Sequence, residues 1–197
     1  MTSACDVALY FLHNLDDVSP LKLQKLIYYA QAWSLAINDR ALFEEPIEAW
    51  TNGPAVSSVY REYKKFREKS IPAPDQGCPS LNQEDLKTLK RVESIYGGLS
   101  ADHLWKLSHS ESPWSYARGE LGFDEPSRNE ISKDIMGLYY KGFLESRDGT
   151  LFIRAEVTNI NKESRSTFFL KGDRIVNVSN KDAFSFMLQN WDELEDE

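Results

Sequence analysis

The segment that most constrains the fold is SPLKLQKLIYYAQAW, which runs from Ser19 to Trp33. Ser19 followed by Pro20 predicts a helix start, because a serine side chain caps the first turn and proline at the first helical position loses no hydrogen bond. Apolar and aromatic residues then occur on nearly every side, up to about Asn38. A helix that is apolar all round is buried. The sequence therefore predicts a central helix enclosed by other helices.

One side of this helix carries Lys22, Lys25 and Tyr29, at positions i, i+3 and i+7. Residues at this spacing share a face, and the lysines make it the side expected to reach the surface. For Tyr29 the alternative is a place in the core beside Trp33, which follows four residues later. Nothing in the segment resembles a cofactor-binding motif.

Start and stop signals divide the rest of the chain up to about residue 148 into further helices and one short hairpin. Gly53-Pro54 is expected to open the third helix, and the segment from about residue 39 to residue 54 is expected to form the hairpin. A last long helix after Ser127 is predicted to bury Ile131, Ile135, Leu138 and Tyr139. The other helices are predicted at Ala4–Leu15, after Asn82, after Ser100, and from Ser112 to Arg118.

After Gly149 the hydrophobic period changes, and the runs LFIRAEV, STFFLKG and DRIVNVS are typical of strands. A short helix is expected at about Lys181–Leu188. The predicted fold class is mainly α: a compact multi-helix domain around a buried central helix with a short hairpin, plus a small C-terminal β-rich appendage, and thus α+β overall. The predicted domains are residues 1–148, 149–190 and an acidic tail at 191–197.

Charge and cysteine content limit the classes of function. The net charge is −8, and most of it comes from the last six residues, DELEDE, so a global basic surface for nucleic acid is absent. The two cysteines are far apart and suggest neither a disulfide framework nor a zinc site. No apolar run approaches the roughly 20 residues that span a bilayer. The sequence thus indicates a cytoplasmic protein without a membrane association or a cofactor.

Two stretches contain residues that could carry chemistry. In LSHSESPW, Ser108, His109 and Glu111 are the residue types of a hydrolase, but no nucleophile-elbow motif accompanies them. The favoured interpretation is that one helix ends here and that Ser112-Pro113 begins the next. The basic run from Arg61 to Lys69 could contact phosphates, although two glutamates within it favour a solvated helix face. A small hydrolase and a DNA-binding protein therefore stay open as alternatives.

Three blocks in order, LKLQKLIYYAQAWSLA, LFEEPIEAWTNGPAVSSVYREYKK and YGGLSADHLWKLSHSESPWSYAR, together resemble the Panacea domain family. This family of prokaryotic and phage-encoded proteins includes Soc-type antitoxins and phage proteins of the GepA type. The resemblance covers about residues 5–145. The chain departs from the family pattern at Ala55, where valine is usual, and at Ser108, where threonine is usual.

The resemblance implies a helical domain without catalytic activity that neutralises a cognate toxin protein by direct binding. It also implies a possible second route, in which the antitoxin is an adaptor that delivers the toxin to a protease or works with a chaperone. Operator DNA, a prophage-associated regulatory role and a homodimer formed through a strand edge of the β-rich appendage are the remaining alternatives. The candidate partner-binding residues are Lys22, Lys25, Tyr29, Trp50, Tyr60, Lys64, His109, Trp114 and Arg118.

Overall fold

The computed structural model describes residues 2–147, 150–153, 155–158, 165–171 and 174–178. The chain divides into two units, Met1–Gly142 and Phe143–Glu197. Within the described residues the fold is mainly helical, as predicted, with a small two-stranded sheet in the first unit. Among the described helices, none is both long and apolar enough to cross a membrane.

Seven α-helices make up most of the first unit in the part that is described. Side-chain caps explain where several begin: Asn82 Oδ1 accepts from Asp85 N at 2.9 Å, and Ser100 Oγ accepts from His103 N at 3.2 Å. These two predicted helix starts are confirmed. The helices are α1 (Ala4–Asn14), α2 (Pro20–Asn38), α3 (Ser57–Tyr63) with a 3₁₀ turn at Lys64–Phe66, α4 (Gln83–Tyr96), α5 (Ala101–Ser110), α6 (Ser112–Arg118) and α7 (Lys133–Lys141).

Helix α2 is the buried centre of the first unit, as its apolar circumference predicts. Ser19 caps it, and most of its apolar side chains, Leu23, Leu26 and Ile27 among them, are buried. Several polar residues are buried too, and most of these bind the backbone of the segment that follows the helix. Gln31 Oε1, for example, accepts from Leu42 N at 2.8 Å.

The expectation that Lys22, Lys25 and Tyr29 reach the surface is wrong. All three are buried, with Lys25 only 1% exposed. The backbone of the hairpin covers Lys25, and the Tyr29 ring stacks on Tyr96 with centroids 3.9 Å apart. A face that carries polar groups can be buried when backbone carbonyls satisfy them.

The hairpin consists of β1 (Glu48–Trp50) and β2 (Gly53–Ala55), paired antiparallel with Trp50 opposite Gly53. Gly53-Pro54 therefore belongs to a strand, and the prediction that it opens the third helix is corrected, since α3 begins at Ser57. The physical reason is local, because Gly53 has φ +87°, a conformation that no right-handed helix contains.

The buried face of α7 also differs from the prediction. Leu138 is 71% exposed, and the helix buries Met136, Gly137 and Tyr140 instead. Gly137 faces Leu35 of α2, and a Cβ added there would lie 3.4 Å from Leu35 Cβ, an ordinary contact distance. The face of α7 that packs on α2 is therefore centred on Gly137, and Leu138, one position further along the helix, lies on the exposed side.

Apart from Phe143, the described residues of the second unit are strands. β3 (Leu144–Arg147) pairs with β4 (Thr150–Ile153), and β5 (Ala155–Thr158), β6 (Arg165–Lys171) and β7 (Arg174–Val178) form an antiparallel sheet in that order. The predicted helix at Lys181–Leu188 and the acidic tail lie outside the described residues. The predicted domain boundaries, including a β-rich appendage at 149–190, stay predictions.

Candidate functional site: a hairpin held by buried side chains

Side chains from the helices bind the backbone carbonyls of the β1–β2 hairpin one after another. The guanidinium of Arg118 donates to Ala49 O at 3.3 Å, and the indole N–H of Trp114 donates to Trp50 O at 3.0 Å. The next carbonyl, Thr51 O, lies 3.0 Å from His109 Nε2. Backbone groups that point into a protein must find such partners, and here they find them on α5 and α6.

Helix α2 supplies contacts to the second half of the hairpin. Lys25 Nζ donates to Asn52 O at 2.5 Å and to Pro54 O at 3.1 Å, and Gln24 Oε1 accepts from Val56 N at 2.7 Å. Five side chains therefore fix the hairpin from the first strand to the start of α3. These five form what we call the hairpin clamp: Gln24, Lys25, His109, Trp114 and Arg118.

Gly53 fits into the clamp because it has no side chain. A Cβ at this position would lie 2.5 Å from Lys25 Nζ and 2.9 Å from His109 Cε1. Both distances are too short for a real contact, and φ +87° already favours glycine. The turn can approach the ammonium and the imidazole so closely only with glycine at this point.

Beneath the clamp lies a buried carboxylate, Glu111. It accepts hydrogen bonds from the hydroxyls of Tyr28 at 2.7 Å, Tyr140 at 2.8 Å and Tyr29 at 3.2 Å. Burial raises the pKa of Glu111 to about 7, and the three hydroxyls and the charge of Lys25 oppose this rise. Burial likewise lowers the pKa of Lys25 to about 7, which the charge of Glu111 opposes. Each of these two side chains therefore favours the charged form of the other inside the core.

The arrangement around His109 does not form a hydrolytic triad. His109 Nδ1 lies 2.6 Å from Trp105 O, so both ring nitrogens face backbone carbonyls, and burial lowers the pKa of the imidazole. The Ser108 hydroxyl donates to Trp105 O at 3.0 Å, and Glu111 is occupied by tyrosine hydroxyls. Nucleophile, base and orienting acid must contact one another for this chemistry, so the hydrolase hypothesis has no geometric support.

Arg118 extends the clamp to the loop that follows α6. Its second terminal nitrogen donates to Gly122 O at 2.6 Å, Glu125 O at 2.8 Å and Phe123 O at 3.2 Å. The side chain is 3% exposed, and its guanidinium lies 5.1 Å from the centre of the Trp114 ring. Only a planar group with several fixed N–H donors can serve so many carbonyls at once.

Beside the hairpin a cleft of about 620 Å³ opens to the surface. Its walls come from the start of α2, the hairpin turn, α3 with its 3₁₀ turn, and α5. Trp50 and Tyr60 meet edge to face in it, with ring centroids 4.9 Å apart, and Tyr60 is 41% exposed. Lys64 and Arg67 lie on the same wall as Tyr60.

The nine candidate residues thus fall into three groups. Tyr29 and Lys22 are buried on α2, and His109, Trp114 and Arg118 belong to the clamp. The remaining four, Lys25, Trp50, Tyr60 and Lys64, line the cleft, with Lys25 also in the clamp.

Sequence reasoning missed Gln24, Glu111 as a buried acid, and Arg67. A glutamine beside a lysine inside an apolar helix was a usable signal for Gln24, because buried polar groups require partners. In the described part of the chain, no cluster of histidine, cysteine or acidic side chains could hold a metal ion.

A comparison with protein-family models now bears on this geometry. Residues 23–115 match the model of the family described as Antitoxin SocA-like, Panacea domain. Over residues 23–115 the chain is similar to this family. The predicted resemblance is confirmed over this range, which is narrower than the predicted residues 5–145. No curated protein and no solved structure matches the chain.

The matched residues 23–115 contain the hairpin, the described cleft wall except Pro20 and Leu21, and every clamp residue except Arg118. The family is described as antitoxin SocA-like. Apart from Arg118, Pro20 and Leu21, the clamp and the cleft lie in the part of the chain that is similar to it.

Proposed function

We propose that this chain is an antitoxin that neutralises a cognate toxin protein by direct binding, with the cleft as part of its contact surface. The family match supports the antitoxin class. The observation that carries the proposal is the Trp50–Tyr60 pair, which lines the cleft with Trp50 on the fixed hairpin and Tyr60 on α3.

Two physical arguments support this surface. Tryptophan, tyrosine and arginine contribute most of the energy in protein interfaces, and they do so from pockets at the centre of the contact. Trp50 is half-buried, with its indole N–H donating to Glu48 Oε2 at 2.6 Å, so its ring is already oriented before a partner arrives. Because the clamp orders the hairpin beforehand, binding loses little conformational entropy there.

Co-expression with the product of the adjacent gene tests the proposal. The wild-type chain is expected to restore growth when that product is toxic, and Tyr60→Ala is expected to weaken complex formation about tenfold or more, as for a central interface residue. Tyr116→Ala is the matched control, because Tyr116 is 72% exposed and does not line the cleft.

Circular dichroism of both variants verifies that they are folded. Growth arrest that persists with the wild-type chain would refute the antitoxin function. Equal neutralisation by Tyr60→Ala and Tyr116→Ala would instead remove the cleft from the interface. A protease or chaperone partner, operator DNA, a homodimer and the cytoplasmic location stay predictions.

A further inference from the structure

Arg67, on the wall of the cleft, has a backbone conformation that normally requires glycine. The Lys69 N–H donates to Phe66 O at 2.9 Å and closes a four-residue turn, in which Arg67 has φ 54° and ψ −113°. These angles are those of the first central position of a type II′ turn, where glycine dominates because a Cβ is strained there. A non-glycine residue in such a region marks a candidate functional position.

The arginine is strained at the place where it joins the cleft. Its exposed side chain lines the wall together with Lys64. Within the part of the chain that the structure describes, neither of these two cations forms an ion pair. Asp102, across the cleft, is already paired with Lys106 at 2.7 Å.

The cleft therefore combines unpaired positive charge with apolar surface. Lys64 and Arg67 outnumber the one unpaired acid of the wall, Glu68, while the chain as a whole carries −8. The Trp50–Tyr60 pair supplies the apolar part. A ligand that matches both properties has carboxylates spaced around an apolar side chain.

We propose that the cleft binds an acidic, extended segment of the partner protein, with Arg67 and Lys64 pairing its carboxylates and with Trp50 and Tyr60 packing against an apolar side chain. This proposal rests on the proposed function, because it names the chemistry that the same surface recognises. Arg67 is the specificity-determining residue, since a guanidinium binds a carboxylate through two parallel hydrogen bonds.

A nucleic acid is the less suitable ligand for this surface. Glu62 and Glu68 lie within the basic stretch and repel a continuous row of phosphates. An acidic peptide segment need not carry a charge at every position. Its carboxylates can be spaced so that they meet Arg67 and Lys64 and avoid the two glutamates.

Fluorescence anisotropy with the full chain tests the proposal. The probe is a labelled synthetic peptide with alternating Asp and Glu around one central Leu, compared with a peptide in which lysine replaces each acid and with a thymidine oligonucleotide of the same length. The acidic peptide is expected to bind, more weakly at high salt. Absence of binding, or tighter binding of the oligonucleotide, would overturn the proposal.

Arg67→Gly provides the decisive variant, because it removes the guanidinium and relaxes the turn. We expect the peptide to bind about tenfold more weakly, because one charge-assisted hydrogen-bonded contact is lost. The melting temperature should be equal or higher, because the strain of the turn is relieved. Arg67→Lys keeps the charge and is expected to bind with intermediate affinity. Arg128→Gly is the charge-matched control, because Arg128 is exposed and does not line the cleft.

Unchanged binding by Arg67→Gly would overturn the role of Arg67. A lower melting temperature together with weaker binding would assign Arg67 to the stability of the fold, which also overturns it. Failure of this proposal is distinguishable from failure of the proposed function. If the toxin is neutralised but acidic peptides do not bind, only the ligand chemistry is wrong.

Discussion

Replacing Gly53 by alanine tests whether the hairpin depends on its close approach to the clamp. Two effects add at this position. The first is the backbone strain of a side chain at φ +87°, about 1–2 kcal/mol. The second is the overlap of the new Cβ with Lys25 Nζ at 2.5 Å and His109 Cε1 at 2.9 Å, which forces the buried groups apart and costs about 1–3 kcal/mol.

The chain offers matched controls that separate the two effects. Gly119 has φ +61° with nothing within 4 Å of an added Cβ, so Gly119→Ala measures the backbone strain alone. Gly98 has neither positive φ nor a neighbour within 4 Å, so Gly98→Ala is expected to change stability little. We therefore expect the unfolding free energy to fall by about 2–5 kcal/mol for Gly53→Ala and by about 1–2 kcal/mol for Gly119→Ala.

Urea denaturation followed by circular dichroism measures these differences. Lys25→Met in the Gly53→Ala background should reduce the additional cost of the alanine, because Lys25 is the nearest group that the new Cβ meets. If Gly53→Ala is no more destabilising than Gly119→Ala, the hairpin does not depend on this contact, and the clamp as described is refuted.

Two further predictions concern the buried charges. Burial raises the pKa of Glu111 from 4.5 to about 7, so the folded chain holds this proton more tightly than the unfolded chain does. As the pH rises from about 4.5 to about 7, the unfolding free energy of the wild type should therefore fall relative to that of Glu111→Gln, by on the order of 3 kcal/mol. Urea denaturation across that range measures the difference, and a constant difference would contradict the burial argument. Arg118→Lys retains the charge but cannot serve Ala49 O and the loop carbonyls together, so we expect a loss of about 2 kcal/mol. Limited proteolysis should cut the loop at residues 119–125 faster in this variant, and an unchanged cleavage rate would show that the loop is held by other contacts.

The local parts of the fold were predictable from sequence, because their causes are local. Ser19 and Pro20 define the start of α2 within one turn, and Asn82 and Ser100 do the same for α4 and α5. The all-round apolar pattern of α2 indicated its central position for the same reason.

The candidate site was predictable only in part, because its contacts join distant segments. Tyr28 and Glu111 are 83 positions apart, and nothing near Glu111 indicates that hydroxyls will surround it. Lys25 was expected at the surface for a related reason, since its acceptors are backbone carbonyls and backbone carbonyls leave no trace in a sequence. The strain at Arg67 depends on a turn geometry that residue types alone did not reveal.

The hairpin is supported mainly through its backbone, and this separates the framework from the part that contacts a ligand. Thr51 and Asn52 are bound to the clamp by their carbonyl groups, which any residue possesses. Their side chains can therefore be exchanged while the supports stay the same, as in loops grafted onto an immunoglobulin framework. Gly53 is the exception, because no other residue fits between Lys25 and His109. A domain built in this way can acquire a new binding preference by changing a few residues at the tip of the hairpin, without rebuilding its core.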